Sequence, residues 1–320
     1  MIARLASSLA KREWTSASRI PRAFQPTRSS ESASMSSRRQ RTIVRPVLIE
    51  GFGLFGGADV RMSLLPAEPH TGLVFERVDL PGRPSIPARI EYLVTQPRRT
   101  VLQKGSARVE MVEHVLAALA GMWIDNCRIQ LDALEPPIGD GSSLEAVEAI
   151  LHAGVAEQAA LKVQVPVSAS LVATSPNERG SIQAEPASNW TIRYDLDYGD
   201  TVIRPQSFTA TITPEEFVRE IAFARTFVLE SEVAMLKARG FGQRATPQNL
   251  LVFGQNGIVE NRMRAADECA RHKLLDCIGD FALCGGSPVG HFHAIQSGHH
   301  LNHGIVEQML QKRPSQRRTA

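Results

Sequence analysis

The sequence predicts an α+β fold made of two similar domains, each a layer of mainly antiparallel strands packed on a pair of helices. Two observations lead to this prediction. Strand-like segments precede helical patterns once before residue 162, and the same order repeats after residue 163. The chain of 320 residues is also 43% hydrophobic, which is enough for two packed cores. We therefore expect domain I over residues 41–162 and domain II over residues 163–311.

The two ends of the chain are expected to lie outside these domains. Residues 1–40 are rich in Ser and Arg, contain only two acidic residues, and lack the continuous apolar segment of a secretory signal. This composition fits a disordered arm, a transit peptide, or an over-long start that precedes Met35. Residues 312–320 form a basic tail. We expect a cytoplasmic protein, or an organellar (mitochondrial) one if the arm is a transit peptide.

Charge and composition exclude several classes of function. The formal net charge of +3 comes from the arm, and residues 41–320 carry more acidic than basic groups, which argues against nucleic acid binding. No apolar run reaches membrane-spanning length, so we expect at most peripheral membrane contact. The four cysteines form no C-x-x-C pair and are predicted to be reduced core thiols. We expect a monomer.

In the first half, alternating residues predict strands at 42–50, 60–65, 72–78, 88–92, 99–109 and 127–131. The glycines at 51, 53 and 56 formally match a dinucleotide fingerprint, but a strand follows them where the fingerprint requires a helix. A glycine-rich hairpin loop is the better interpretation. An apolar stripe predicts a helix at 112–121, and a capping box of Ser142 with Glu145 predicts another at 144–153.

In the second half, the same patterns predict strands at 163–173, 180–184, 190–196, 206–212, 222–227 and 290–296. Thr213 followed by Pro214 indicates a helix start. Gly240 indicates the end of a helix at 231–239, and a hairpin is expected over residues 250–259 around Asn256 and Gly257. Two more helices are expected at 267–280 and 301–311.

The helix at 267–280 carries polar residues where a core helix would be apolar. His272, Asp276 and Asp280 follow one another at intervals of four, so they share one face. Imidazole and carboxylate one turn apart can bind a single divalent ion, although a His–Asp pair within the core would give the same pattern. His114, next to Glu113 in another predicted helix, completes three ligands. Catalytic zinc commonly has three protein ligands and an open position for water.

A second group of histidines lies near the C-terminus. His291 and His293 would face the same way on a strand, so a separate metal site is conceivable there. The sequence offers no neighbouring carboxylate to complete it. A polar sheet face is therefore the preferred interpretation.

Six motifs in order resemble those of the UDP-3-O-acyl-N-acetylglucosamine deacetylases, the zinc amidases of lipid A synthesis. The resemblance extends from about residue 41 to about residue 311. One departure is that Phe55-Gly56 stands where the family has His followed by Thr or Ser. The motifs are Val-Glu-His-Val-Leu-Ala-Ala-Leu-Ala-Gly (112–121), Ile-Asp-Asn (124–126), Pro-Ile-Gly-Asp-Gly-Ser (137–142), Ala-Arg-Thr-Phe (224–227), Arg-His-Lys-Leu-Leu-Asp-Cys-Ile-Gly-Asp (271–280) and Ser-Gly-His (297–299).

The resemblance implies an active site between the two domains, with one Zn²⁺ per chain held by His114, His272 and Asp276. It further implies catalytic roles for five residues. Glu113 would accept a proton from water, His299 would be the cationic or acid partner, and Thr226 would contact the scissile carbonyl oxygen. Lys273 would bind substrate, and Asp280 would orient His299.

The implied reaction is hydrolysis of the N-acetyl group of UDP-3-O-acyl-N-acetylglucosamine, a small glycolipid, to give acetate and a free amine. Phe227 would bind substrate at the start of an acyl-binding segment over residues 227–240, where Val228, Val233, Leu236 and Met235 could line an apolar passage; a short core helix explains the same pattern. Two alternatives stay open. One is another metallo-amidohydrolase on the same scaffold, and the other is a non-catalytic protein that binds a sugar-lipid.

Overall fold

The computed structural model describes residues 38–176 and 179–312. The predictions for residues 1–37 and 313–320 lie outside these ranges. The fold begins earlier than expected, because the first strand, β1 (Arg39–Ile43), includes two residues that had been assigned to the arm. Arg38 just before it forms an ion pair with Asp125 at 2.5 Å. The first strand therefore starts at Arg39, before the expected domain boundary at residue 41.

The first half of the chain alternates short strands with two helices. Its further elements are β2 (Val47–Phe52), β3 (Asp59–Pro66), β4 (Leu73–Arg77), β5 (Ser85–Pro87), β6 (Val101–Lys104), β7 (Ala107–Glu110), α1 (Glu113–Gly121), β8 (Cys127–Leu131), α2 (Leu144–Ala153) and β9 (Val155–Leu161).

The second half has the same kinds of element and longer insertions. A π-helical stretch, Phe217–Ile221, continues α3. The elements are β10 (Gln164–Pro166), β11 (Leu171–Thr174), β12 (Ser181–Glu185), β13 (Trp190–Leu196), β14 (Gln206–Thr211), α3 (Pro214–Glu216), β15 (Phe227–Leu229), α4 (Glu230–Ala238), β16 (Leu251–Gly254), β17 (Gly257–Ile258), α5 (Glu268–Phe281), β18 (Ser287–Ile295) and α6 (His299–Gln311).

The two halves repeat one topology, which confirms the predicted α+β class. The first main sheet has the order β2-β3-β8-β4-β5, and the second has the order β11-β12-β18-β13-β14. In both, two antiparallel hairpins flank a central strand that runs antiparallel to one hairpin and parallel to the other. One helix precedes each central strand and one follows it. The sequence itself carries no repeat that would reveal this duplication.

The core forms where the helices cover the sheets. In α1 the apolar residues Val115, Leu116 and Leu119 are buried, and in α5 Leu274, Leu275 and Ile278 are buried. Burial of such side chains supplies most of the stabilising free energy of a domain. Among the described residues, no helix combines the length and the apolar character needed to span a membrane.

Several elements differ from the prediction. Residues 42–50, 99–109 and 163–173 each divide into two strands, and β9, which pairs with β1, was not predicted. The expected strand at 88–92 is wrong: β5 ends at Pro87 and Ile90–Tyr92 form a 3₁₀ helix. A five-residue alternation is too short to distinguish these conformations. The expected strand at 222–227 is wrong as well, since only β15 from Phe227 onward is extended.

The capping box before α2 is not formed. Ser142 Oγ donates to Asp140 Oδ1 at 2.6 Å and accepts from the Leu144 N–H at 3.2 Å. Ser143 occupies the N-cap position, and its hydroxyl donates to the carbonyl oxygen of His114 at 2.8 Å. The helix itself has the predicted bounds. The serines therefore fix its start through contacts with the loop and with α1.

Helices α1 and α5 approach closely at Gly279. A Cβ added there would lie 2.1 Å from the carbonyl oxygen of Glu113 and 2.8 Å from its carbonyl carbon. These are backbone atoms, so no side-chain movement could relieve the overlap. Only glycine allows the two helix backbones to be this close.

We predict that Gly279→Ala lowers the free energy of unfolding by about 1–3 kcal/mol, because the added methyl group forces α1 and α5 apart. Chemical denaturation measures the change. Gly304→Ala in α6 is the matched control, since its Cβ would lie 4.0 Å from the Cβ of Ala173. That variant should be as stable as the wild type or gain up to about 1 kcal/mol. Equal stability of the two variants would contradict the close approach.

Candidate metal centre and catalytic pocket

The contact between α1 and α5 brings together the three predicted metal ligands. His114 Nε2 lies 3.7 Å from Asp276 Oδ1, and His272 Nε2 lies 3.4 Å from the same oxygen. The two imidazole rings are nearly perpendicular, with centroids 5.1 Å apart. One ligand atom from each residue falls within 4.8 Å of the others. Three such atoms can converge on a single metal ion.

The protonation states of these residues suit a cation. Burial lowers the pKa of His114 to about 3, and burial also lowers the pKa of His272. Burial alone would raise the pKa of Asp276, but the charge of Lys273 holds it below its usual range. Both imidazoles are therefore neutral and the carboxylate is ionised at neutral pH. Metal ligation requires these forms.

Neighbouring groups fix the orientation of the ligands. His272 Nδ1 donates to the carbonyl oxygen of Ala224 at 3.1 Å, which leaves Nε2 free of its proton. Lys273 Nζ donates to Asp276 Oδ2 at 2.6 Å, so Oδ1 remains available. The carbonyl of Ala224 belongs to the segment that was wrongly predicted as a strand. Its irregular backbone supports α5.

Glu113 lies beside this group and is 1% exposed as a side chain. Its Oε2 accepts from the Thr100 N–H at 3.1 Å, and its Oε1 lies 3.7 Å from His299 Nε2. Burial raises the pKa of Glu113 to about 7, against the opposing charge of His299. The carboxyl group of Glu113 therefore titrates near neutral pH, which suits a group that accepts and releases protons.

The buried carboxylate of Asp280 lies behind His299 and is hydrogen-bonded to several side chains. Its Oδ2 lies 2.8 Å from His299 Nδ1 and accepts from Asn302 Nδ2 at 2.8 Å. Its Oδ1 accepts from Thr100 Oγ1 at 2.5 Å and lies 3.2 Å from His303 Nε2. Burial by itself would lower the pKa of His299, but the charge and hydrogen bond of Asp280, with Glu113, raise it to about 9. His299 is therefore protonated at neutral pH.

A cavity of about 490 Å³ contains most of the predicted site residues. Asp280 does not line it and reaches it only through His299. Part of the cavity lining is apolar, and we call this part the apolar wall. It includes Leu54, Phe55, Tyr198 and Ile203. The predicted site residues that line it are Glu113, His114, Thr226, Phe227, His272, Lys273, Asp276 and His299.

The predicted acyl-binding segment contributes only in part to this wall. Phe227, Val228 and Leu236 line the cavity, whereas Val233 and Met235 do not, and Met235 is 41% exposed. The prediction for the last two residues is therefore wrong. Residues 227–229 form a strand and only 230–238 are helical, which changes which side chains face the cavity.

Phe55, the departure from the family motif, packs against the loop after α4. Its ring lies edge to face with Phe241 at a centroid distance of 4.8 Å, and the guanidinium of Arg99 lies 4.8 Å from the Phe55 ring centroid. The Gly242 N–H donates to the Phe55 carbonyl at 3.2 Å. Phe55 thus joins the glycine-rich loop to the segment that forms the apolar wall. Aromatic pairs of this geometry are stabilising beyond their buried area.

The second histidine group does not form a metal site in the part of the chain that the structure describes. His293 Nε2 lies 2.7 Å from Asp195 Oδ2, a carboxylate that the sequence had not placed nearby. Among the described residues, no third ligand joins this pair. His299 and His303, which follow in the sequence, contact Asp280 instead.

Sequence reasoning missed three residues of the site: Thr100, Asn302 and His303. Thr100 stands in a strand-like segment and carries no motif signal. Asn302 and His303 follow the Ser-Gly-His motif, and their one-turn spacing from His299 could have placed them on its helix face. They were missed because α6 was expected to start at residue 301 and not at His299.

Comparison with known proteins agrees with this geometry. The family model for UDP-3-O-acyl N-acetylglycosamine deacetylase matches residues 40–311. Three proteins named UDP-3-O-acyl-N-acetylglucosamine deacetylase are similar to this chain. That of Myxococcus xanthus is 39% identical over 86% of this chain and 87% of its own. That of Geobacter sp. is 35% identical over 86% and 90%, and that of Trichormus variabilis is 36% identical over 85% and 98%.

These matches confirm the family resemblance seen in the six motifs. They extend over nearly the whole described chain and include both helices that carry the metal group. The chain therefore belongs to the UDP-3-O-acyl N-acetylglycosamine deacetylase family.

Proposed function

We propose that this protein removes the N-acetyl group of UDP-3-O-acyl-N-acetylglucosamine, which gives acetate and UDP-3-O-acyl-glucosamine for lipid A biosynthesis. One observation carries the proposal. Two neutral histidines and an ionised aspartate line the same cavity as a buried glutamate and a protonated histidine. This set of groups suits hydrolysis of an amide. The cytoplasmic location and the monomeric state expected from the sequence remain predictions.

His114, His272 and Asp276 would hold one Zn²⁺ per chain. The donor set supports this choice, because two neutral imidazoles and one carboxylate are typical ligands of catalytic zinc. The ion supplies Lewis-acid chemistry that activates water and stabilises negative charge on a carbonyl oxygen. Lys273 keeps one oxygen of Asp276 occupied and so orients the other toward the two histidines.

Glu113 takes the proton of the attacking water. The carboxylate of Glu113 lies between the Thr100 N–H and His299. Because Glu113 is also next to His114 in the sequence, its carboxylate faces the place where the acetamide carbonyl would be attacked. Thr226, a cavity-lining residue, donates its hydroxyl to the carbonyl oxygen as negative charge develops there. His299 shares this task through its positive charge.

His299 delivers a proton to the departing amine. Its Nδ1 is held by Asp280, so Nε2 is the atom directed into the cavity toward Glu113. Asp280 acts as a positioning residue that keeps the imidazole charged and oriented. Lys273 also lines the cavity and contacts the substrate.

The acyl chain lies along the apolar wall. Phe227 begins this wall beside the metal group, with its ring centroid 6.2 Å from that of His272, and Val228 and Leu236 extend it. Each buried methylene of the chain would contribute about 0.8 kcal/mol. The wall therefore favours acylated over non-acylated substrates.

The first prediction concerns the metal. Deacetylation of the acylated UDP-sugar should stop with a chelator and return with Zn²⁺, and His272→Ala should lose the bound metal because two ligands remain. Elemental analysis and acetate release are the measurements. His293→Ala is the matched control, a histidine paired with a carboxylate at 2.7 Å outside the cavity. Stoichiometric metal in His272→Ala would refute the ligand set.

The second prediction concerns the basic limb of the pH profile. Because the raised pKa of Glu113 is about 7 and that of His299 is about 9, kcat should rise as pH passes about 7 and fall as pH rises through about 9. Asp280→Asn removes the carboxylate that raises this pKa, so the limb should move to lower pH. Metal content should be unchanged.

The control for this experiment is His303→Gln. His303 also contacts Asp280, but its replacement leaves the carboxylate charge in place, so the limb should stay near or above pH 9. A limb that remains at pH 9 in Asp280→Asn would exclude His299 as the titrating acid.

The third prediction concerns the acyl chain. Leu236→Ser should reduce kcat/KM for the 3-O-acylated substrate by about 5- to 30-fold, through loss of apolar contact. It should have little effect on UDP-N-acetylglucosamine, which lacks the chain. Met235→Ser is the control, because this neighbour on α4 does not line the cavity. Equal losses for the two substrates would remove Leu236 from the acyl wall.

A further inference from the structure

Helix α4 borders the catalytic cavity, yet all nine of its residues are at least partly exposed. Glu232 and Leu236 are one turn apart on the same face of α4, and both line the cavity. Most of the stability of a helix in a protein comes from an apolar face that is buried by packing. Because α4 has no such buried face, its position beside the cavity depends on contacts with other segments of the chain.

One of these contacts is an ion pair with Arg98, which belongs to the first half of the chain. Arg98 Nη2 donates to Glu232 Oε1 at 2.5 Å, and both residues line the catalytic cavity. Their side chains are 47% and 31% exposed. Exposed ion pairs are weak, so this one can open at little cost when a substrate enters. The pair therefore joins α4 to the opposite half of the chain reversibly.

The backbone at Arg98 is held in an unusual conformation. Its φ of 66° lies in the left-handed region, which residues with a Cβ rarely adopt and which recurs at ligand clamps. Arg99 anchors the segment, because its Nε donates to the buried Glu110 Oε2 at 2.6 Å. The guanidinium of Arg99 also lies 5.5 Å from the ring centroid of Phe241, just beyond the end of α4. Two consecutive arginines thus contact α4 and the segment that follows it.

The next residue, Thr100, contacts the groups that are proposed to handle protons. Its N–H donates to Glu113 Oε2 at 3.1 Å, and its hydroxyl donates to Asp280 Oδ1 at 2.5 Å. Arg98 is therefore fixed relative to the catalytic end of the cavity, whereas α4 is not. Of the two partners in the ion pair, α4 is the one that can move.

We propose that the Arg98–Glu232 ion pair is a latch that holds α4 against the acyl chain of the substrate and so selects acylated over non-acylated UDP-sugars. This inference rests on the proposed function. Leu236, which shares a face of α4 with Glu232, contacts the chain while the latch is closed. Arg98 and Glu232 act as positioning residues that determine specificity and do not touch the reacting atoms.

The ratio of kcat/KM for the 3-O-acylated substrate to kcat/KM for UDP-N-acetylglucosamine measures this selection. Glu232→Gln should lower the ratio by about 2- to 5-fold, the effect of losing an exposed ion pair. Glu232→Arg places two cations together and should lower it by about 3- to 20-fold. Glu230→Gln is the matched control: it also removes a carboxylate from the first turn of α4, but Glu230 does not line the catalytic cavity. That variant should keep the wild-type ratio.

A charge exchange distinguishes the ion pair from separate effects of its two side chains. Arg98→Glu alone should lower the ratio as Glu232→Arg does. The double variant, Arg98→Glu with Glu232→Arg, should return the ratio to within about 2-fold of the wild type, because the attraction is restored. A double variant as impaired as the single ones would show that the residues do not act as a pair, and would overturn the latch.

Hydrogen exchange of the amides of residues 230–241 provides a readout that does not depend on turnover. These amides should exchange faster in Glu232→Gln than in the wild type or in Glu230→Gln. The acylated UDP-sugar should slow their exchange in the wild type more than UDP-N-acetylglucosamine does. If the wild type releases no acetate, the proposed function fails and hydrogen exchange alone decides on the latch. Wild-type exchange rates in Glu232→Gln, or a wild-type ratio in that variant, would refute it.

Discussion

The contact between α1 and α5 at Gly279 is the constraint on which the rest of the site depends. The backbone of one helix lies where a side chain of the other would be, so the carbonyl of Glu113 and the Cα of Gly279 set the distance between His114 and Asp276. Each helix alone offers too few ligands for a catalytic metal. The position of the metal group is thus decided by a residue that has no functional group of its own.

Two carboxylates one turn apart on α5 are kept ionised by different cations. Asp276 is paired with Lys273 and faces the metal group, while Asp280 is paired with His299 and faces away from the cavity. Because each carboxylate has its own partner, the two charges do not have to share one proton. Burial raises the pKa of Glu113 and Asp280 raises that of His299, so a proton acceptor and a proton donor coexist near neutral pH.

The duplicated topology and its insertions have separate roles. The repeated pattern of sheet and helices supplies α1 and α5, which pack against each other. The insertions supply what is particular to this reaction: the residue before β6 is Thr100, and the segment from β15 to α4 contributes to the apolar wall. A stable scaffold with variable insertions is a common basis for enzyme sites.

The sequence by itself determined the fold class, the bounds of α2, and the group of His114, His272 and Asp276 that could hold a metal, because helical periodicity and ligand type are local properties. Val233, Met235, the strand at 88–92 and the capping box of Ser142 were predicted wrongly, since in each a local pattern fitted two conformations. Only the tertiary structure decided that Asp280 is hydrogen-bonded to Thr100, Asn302 and His303, and that three cationic side chains lie around the ring of Trp123. Those groups come from distant segments, and their protonation and pairing depend on burial and on neighbours that no local pattern encodes.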